Sequence, residues 1–228
     1  MPLLLCIETA TKLCSVALSR DGAVLAARDL ESDQHVHAEK VNVFIHEVMT
    51  EAGSSLKELD AVAVGIGPGS YTGLRIGLSA AKGLCYALEI PIIGISTLRA
   101  LHAAARTRQP SMTGDAWPMI DARRMEVFTQ PFGADGQAID APAPVVLDGD
   151  WASSHAPALV FGDGADKAGD LWLREGITHI SGIRPHASAM ALEAERRFAQ
   201  GSFDDLAYLV PTYGKAANVT QPKKKSLG

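Results

Sequence analysis

The sequence has little that would tie it to a membrane, a metal or a nucleic-acid backbone. Its 228 residues include three cysteines, Cys6, Cys14 and Cys85. The count is odd, each lies in an apolar stretch, and none belongs to a Cys-x-x-Cys pair. That pattern argues against a disulfide framework or a thiolate metal site and predicts three buried, reduced thiols in a cytoplasmic chain. No apolar run approaches the ~20 residues of a membrane helix. The N-terminal run Leu3 to Ile7 is too short for a signal-peptide core and lacks a basic lead. Excess positive charge is missing too: the net charge is −5 and the sequence pI about 5.8. A protein that grips nucleic acid alone usually carries a basic patch or stripe. The basic groups here, Arg106/Arg108, Arg123-Arg124, Arg196-Arg197 and Lys223 to Lys225, are short and read as solvated faces.

What the sequence does have is glycine in one place. The run Ala63-Val-Gly-Ile-Gly-Pro-Gly-Ser-Tyr-Thr-Gly-Leu-Arg-Ile-Gly-Leu78 organises the chain. Ala61 to Ile66 is short, partly β-branched and bounded by glycine, which predicts a buried strand. Gly67-Pro68-Gly69 turns the chain, and Ser70 or Thr72 is placed to cap a helix over 71–88. Glycine costs roughly 1 kcal/mol against alanine inside a helix, and Gly73, Gly77 and Gly83 all fall there. Close approach of another backbone would offset that cost, from the sheet beneath or from a partner helix outside. As a phosphate cradle the loop is weak. Its Gly-x-Gly-x-Gly spacing is not the dinucleotide fingerprint, and no Gly-Lys-Ser/Thr follows.

Before that run, Leu3–Ile7, Cys14–Ser19 and Ala23–Leu30 read as three strands in a meander, with Asp21-Gly22 as a tight turn. A helix follows from about His35 to Ala52, stopped at Gly53. Pro91–Ile95 is the next strand, and Ser96-Thr97 caps a helix to about Arg106. The order βββαβαβα occupies 1–106 as an N-terminal lobe. A smaller α/β lobe is expected over 107–212. Its strands are at 117–121, 126–132, 142–147, 158–161 and 178–181, and its helices at 165–174 and 187–200. Residues 213–228 read as a polar, basic, mobile tail.

Each candidate for chemistry has a plain alternative. Glu8 could hold a cation or a phosphate-bound water, or simply cap amides of its own turn. His35 and His37 stand two apart, which on a helix points them to different faces. A His-x-x-x-His pair would need histidine at 41, where Val41 stands. Asp121-Ala-Arg123-Arg124 is an anion site or a bare hairpin turn. Gly162-Asp163-Gly164 is a nucleotide-closing loop, or a turn with a carboxylate at a helix start. No serine–histidine–acid or cysteine–histidine set can be assigned, so no catalytic residue and no metal ligand is named.

Taken together, several stretches resemble one family. Gly67 to Gly77 resembles the signature of the bacterial TsaB (YeaZ-type) family. Leu5 to Ala10, His37-Ala-Glu39, Pro91 to Leu98, Asp121 to Phe128 and Phe161 to Ala165 resemble further family segments in order, and Tyr208-Leu-Val-Pro211 its closing strand. The resemblance implies the actin-like ATPase and sugar-kinase fold class, with two ribonuclease-H-like lobes, each a mixed sheet with flanking helices. It implies a role in making threonylcarbamoyladenosine beside the tRNA anticodon. There the chain would be a non-catalytic paralogue of the TsaD transferase that binds and supports it, in a pathway that includes a TsaC-type enzyme.

The partners implied are a TsaD-type transferase, a TsaE-type ATPase, tRNA through the complex, and a second copy of the chain through the same helices. The expected contact surface, 37–48 with 71–85, includes His37, Glu39, Val41, Phe44, Ile45, Tyr71, Leu74, Arg75, Gly77, Leu78 and Ala81. No cofactor is expected on this chain alone; ATP and a metal come to the complex through its partners. The competing readings are a nucleotide-dependent ATPase or kinase using Glu8, Thr9, Gly162, Asp163 and Gly164, and a metallopeptidase. Lys223 to Lys225 is a further candidate for an RNA contact.

Overall fold

A computed structural model of the chain describes residues 1–33, 36–156 and 158–214. The helix start expected near His35, His35 itself and Lys223 to Lys225 lie outside the described residues. The first sheet is built from β1 (Leu3–Glu8), β2 (Leu13–Arg20), β3 (Ala23–Glu31), β4 (Ala61–Gly67) and β5 (Ile92–Ser96), in the order β3-β2-β1-β4-β5. The meander β1-β2-β3 is antiparallel, and β4 and β5 add in parallel. Every residue of β1 is buried, because the sheet is covered on both faces. That is why its sequence is a continuous apolar run rather than an alternation.

One face of this sheet packs against α1 (His37–Glu51) and α2 (Tyr71–Leu88). Leu3, Leu5, Ile7, Val16 and Leu18 meet Val41, Phe44, Ile45, Val48, Leu78 and Ala81 there. Each fully buried aliphatic side chain of this kind contributes about 1.5–3 kcal/mol. The Gly67–Pro68 peptide bond is cis. Ser70 is the cap of α2, its hydroxyl accepting from the Gly73 amide at 3.2 Å. The α1 start and the start of α3 (Thr97–Arg108) have no side-chain cap, so Ser96 does not serve as the cap expected of it.

The second sheet has the order β10-β9-β6-β7-β8, from β6 (Ala116–Asp121), β7 (Glu126–Thr129), β8 (Ala143–Val146), β9 (Leu159–Phe161) and β10 (Thr178–Ile180). The single helix expected over 165–174 is two, α5 (Asp163–Asp166) and α6 (Gly169–Glu175). A short helix α4 (Gly149–His155) precedes them, capped by the Asp148 carboxylate on the Trp151 amide at 2.8 Å. The last helix, α7 (Ala191–Ala199), is preceded by a 3₁₀ turn over Ala187–Met190. No strand forms at Tyr208-Leu-Val-Pro211, contrary to the resemblance; the neighbouring Asp204 makes an isolated bridge to Ile92.

The lobe boundaries differ from the linear reading. Leu98, Leu101, Ala104 and Ala105 of α3 pack with Ala116, Ile120, Phe128 and Phe161 of the second lobe. Ala187, Met190 and Ala194 return to the first sheet's other face, against Leu4, Cys6, Ala63 and Ile93. The two lobes therefore exchange helices. Tyr213, placed in the tail by sequence, is packed: its ring lies 4.8 Å from that of Tyr71. The two ribonuclease-H-like lobes and mixed sheets are as the resemblance implied. Cys6, Cys14 and Cys85 are buried and unpaired.

Glycine decides how α2 lies. A Cβ at Gly73 would run into the Thr9 carbonyl oxygen, and one at Gly77 into the Thr9 hydroxyl, whereas Gly83 faces open space. Gly73→Ala should therefore destabilise the chain by about 2 kcal/mol or more despite alanine's higher helix propensity. Gly83→Ala should stabilise it by about 0.5–1 kcal/mol. Urea unfolding of the two variants checks both signs.

Candidate functional site

Two concave features stand out, and they differ in chemistry. The first is a cleft between the lobes. Thr11, Lys12, Glu31, Ser32 and Asp33 line it from the first lobe, and Asp121, Asp163, Asp166, Lys167 and Arg184 from the second. Its charges are largely paired with one another. Arg184 bridges the lobes, with Nε 2.9 Å from Glu31 and Nη1 2.6 Å from Asp166. Asp166 also accepts from the His179 ring at 2.9 Å. Lys12 pairs with Asp33, and Lys167 with Asp121. Asp163 Oδ1 accepts the Asp121 amide at 3.1 Å, and burial pushes its carboxyl up.

The Gly162-Asp163-Gly164 turn is explained by packing. Gly162 has a φ of 106°, and a Cβ there would strike the Met119 carbonyl. A Cβ at Gly164 would come within 2.9 Å of the Ile120 carbonyl carbon. These glycines let α5 sit directly on β6. In the hairpin 121–126, Arg123 and Arg124 both hold positive φ, 74° and 52°. The Asp121 carboxylate accepts the Arg123 amide at 2.9 Å. Among the described residues no group of three His, Cys, Asp or Glu side chains could hold a metal ion.

Glu8 and Thr9 do not line this cleft. Both are wholly buried behind it, which contradicts a direct nucleotide contact by either. Glu8 Oε1 accepts the Ala10 amide at 2.8 Å, the turn-capping role. Glu8 Oε2 has no hydrogen-bond partner. A Cβ on Gly65 would overlap the carboxylate, so β4 presses on it with bare backbone. Burial pushes the Glu8 carboxyl up from 4.5 to about 7, against the Ala10 and Thr9 amides and the Thr97 hydroxyl, which favour the charged form.

The second feature is a groove on the outside of α1 and α2, about 570 Å³ in volume. Ala38, Val41 and Asn42 form one wall, and Tyr71, Thr72, Arg75, Ile76, Ser79 and Ala80 the other. The Arg75 guanidinium lies over the Tyr71 ring at 4.7 Å, and Tyr71 is 56% exposed. Of the residues expected at a partner surface, Glu39, Tyr71 and Arg75 are exposed and Val41 floors the groove. Phe44, Ile45, Leu74, Gly77, Leu78 and Ala81 are buried against their own domain, and His37 is turned inward with Nε2 2.9 Å from the Thr11 carbonyl. Direct contact with a partner through these seven is therefore corrected. They are the inner face of the same two helices, and reaching them would require unpacking the core. The outer-face residues Thr72, Ile76, Ser79 and Ala80 fall inside the expected stretch 71–85 but were not singled out, although their spacing of three and four marks one helix face.

Glu8 makes stability depend on pH in a definite direction. Its carboxyl holds the proton more tightly folded, at about 7, than at the ordinary value of 4.5. Where the native state binds more protons, stability falls as pH rises. The contribution is full below about pH 4.5, declines through the window to about 7, and is lost above it. It amounts to roughly 3 kcal/mol. Glu8→Gln should flatten that part of the profile and melt higher than wild type at pH 8. Thermal melts of both proteins from pH 4 to 8.5 test this, and parallel profiles would show that Glu8 does not titrate there.

Comparison with known proteins places the chain. The family described as TsaD: tRNA N6-adenosine threonylcarbamoyltransferase matches residues 31–149. The tRNA threonylcarbamoyladenosine biosynthesis protein TsaB of Escherichia coli K12 is 32% identical over 224 residues, covering 92% of this chain and 93% of that protein. A Pseudomonas aeruginosa protein whose crystal structure is described as similar to peptidase YeaZ superposes with a TM-score of 0.80 at 26% identity, over 94% of this chain and 100% of that one. Component A of (R)-2-hydroxyglutaryl-CoA dehydratase from Acidaminococcus fermentans shares the fold alone, with a TM-score of 0.54 at 10% identity, over 87% of this chain and 100% of that one. The fold is that of the actin-like ATPase and sugar-kinase class, and the chain belongs to the TsaB (YeaZ-type) family of tRNA threonylcarbamoyladenosine biosynthesis proteins.

Proposed function

We propose that the chain is a non-catalytic subunit that docks a TsaD-type transferase on the α1–α2 groove and supports its threonylcarbamoyl transfer to tRNA. The observation that carries this reading is the groove itself. It runs along the two helices whose inner faces hold the core, and it offers small side chains, Ala38, Ser79 and Ala80, flanked by the Tyr71–Arg75 pair. Small residues along a helix let another helix approach closely. An exposed aromatic beside an arginine is the kind of anchor that dominates interface energies. A second copy of the chain would fit by the same geometry, giving a two-fold contact.

The cleft supports the complementary half of the reading. Its lining has five carboxylates, on Glu31, Asp33, Asp121, Asp163 and Asp166, against three cations, on Lys12, Lys167 and Arg184. A polyphosphate entering it would have to break the Arg184 bridge and face surplus negative charge. Nucleotide turnover by the isolated chain is thus the weaker reading, and ATP and a metal enter through the partners, with a TsaE-type ATPase among them.

Ser79→Arg tests the docking. Ser79 is exposed, so the variant should fold and melt like wild type. A long cation in the groove should weaken binding to the TsaD-type transferase at least tenfold, about 1.4 kcal/mol or more. In a reaction reconstituted with the TsaC-type, TsaD-type and TsaE-type proteins, ATP, threonine, bicarbonate and unmodified tRNA, product should fall in step. Unchanged affinity would put the docking surface elsewhere. Micromolar ATP–magnesium binding by the isolated chain, abolished by Asp163→Ala, would favour the nucleotide enzyme instead.

A further inference from the structure

We propose that Glu8 is a positioning residue whose protonation state sets the seat of the α2 N-terminal turn, and with it the groove wall formed by Tyr71, Thr72 and Arg75. This rests on the docking role of the groove proposed above. Glu8 itself lies outside the groove, and its influence passes through a chain of hydrogen bonds.

The path is short and runs through backbone amides and carbonyls with the Glu8, Thr9 and Ser70 side chains. Glu8 Oε1 takes the Ala10 amide at 2.8 Å. The Ala10 carbonyl takes the Ser70 amide at 2.7 Å. Ser70 in turn caps α2, its hydroxyl on the Gly73 amide at 3.2 Å and its carbonyl on the Leu74 amide at 2.9 Å. Thr9, between Glu8 and Ala10, donates its hydroxyl to the Gly73 carbonyl at 2.8 Å. There is no slack at the contact. A Cβ at Gly69 would meet the Ala10 carbonyl, and those at Gly73 and Gly77 would meet Thr9. A shift of the turn therefore moves the helix end, because packed elements respond together rather than absorbing a displacement.

The buried carboxyl gives the turn two arrangements. Protonated, Glu8 is neutral, and its unpartnered Oε2 costs less than a buried charge would. Ionised, the charge on Oε2 makes no well-formed hydrogen bond, and a buried charge so weakly partnered is costly. The donors at hand are the Thr9 and Ala10 amides and the Thr97 hydroxyl, whose Oγ1 is itself without a partner. Drawing them in reshapes the 8–10 turn. The residues facing Glu8 are uncharged: Ser15 opposite on β2, Gly65 on β4 and Thr97 at the head of α3. Past Ser15 lie Asp29, which accepts the Ser15 hydroxyl's hydrogen bond, and His186, which burial pushes down; the Ala187 amide donates to Ser15. On the helix side the first charged residue along α2 is Arg75, which lies over the Tyr71 ring and not against Glu8.

The test is an amide titration of the full chain by NMR from pH 5.5 to 8.5, with the affinity of the TsaD-type transferase measured across the same range. In wild type the Ala10, Ser70 and Gly73 amide shifts should follow one midpoint near 7, and the affinity should change at least threefold through it. In Glu8→Gln both dependences should vanish, which separates Glu8 from Asp29 and His186. If Ser70 and Gly73 stay flat while Ala10 moves, or if all three still titrate in Glu8→Gln, the proposal is wrong. A titrating helix end with pH-independent partner affinity would overturn the link to docking. Failure of the transferase to bind at any pH would sink the docking reading alone, and the amide shifts would still decide the role of Glu8.

Discussion

The contact of the Glu8-Thr9-Ala10 turn with the glycine face of α2 is the constraint on which the rest of this structure depends. Three glycines, at 69, 73 and 77, remove the side chains that would hold the helix away from the first strand. Interior glycine costs about 1 kcal/mol at each helical position. The hydrogen bonds from Ser70 to Ala10 and from Thr9 to Gly73 offset part of that. So does the burial of Leu74, Leu78, Ala81 and Cys85, which are all in the core. Once α2 is pressed onto the turn, α1 is fixed beside it by Val41, Phe44 and Ile45. The outer faces of the two helices are then left free as a groove.

The two concave features differ in charge density. The groove has few charges, with Arg75 parked on an aromatic ring. The cleft is dense in charge, but its ions are committed to one another across the lobes. Arg184 touches Glu31 of β3 and Asp166 of α5 at once. Arg184 and Asp166 are both partly buried, so the pairing is held with little help from solvent. The ion pairs occupy the space between the lobes and join one to the other.

The exchange of helices between lobes explains how the cleft walls are held. α3 stays on the first sheet through Ala100 and packs into the second lobe's core through Leu98, Leu101, Ala104 and Ala105, while the chain from Ala187 to Ala199 returns to cover the first sheet. The Ala187 amide on the Ser15 hydroxyl at 2.7 Å joins segments far apart in sequence. Two such crossings tie the lobes together with apolar burial rather than with the ion pairs alone.

How much was legible in the sequence follows from which interactions are local. The bounds of α2, a cap at Ser70 or Thr72, the buried β1 run and the family itself were all in reach. Each rests on residues within a few positions: a hydroxyl beside a helix start, an apolar run bounded by turns, an eleven-residue motif. The helix face was not in reach. Leu74, Gly77, Leu78 and Ala81 form one stripe and Thr72, Ile76, Ser79 and Ala80 another, and periodicity alone does not say which meets the sheet. Glycine at 73 and 77 was consistent with a partner's backbone or the chain's own. Only the position of Thr9, more than sixty residues earlier, settles that it is the chain's own. The same holds for Glu8, whose burial depends on β4 passing over it at Gly65, and for the helices that change lobes. Local preference and pattern were determined by the sequence. Burial and partner were decided by tertiary structure, because both depend on which distant backbone fills the space beside a residue.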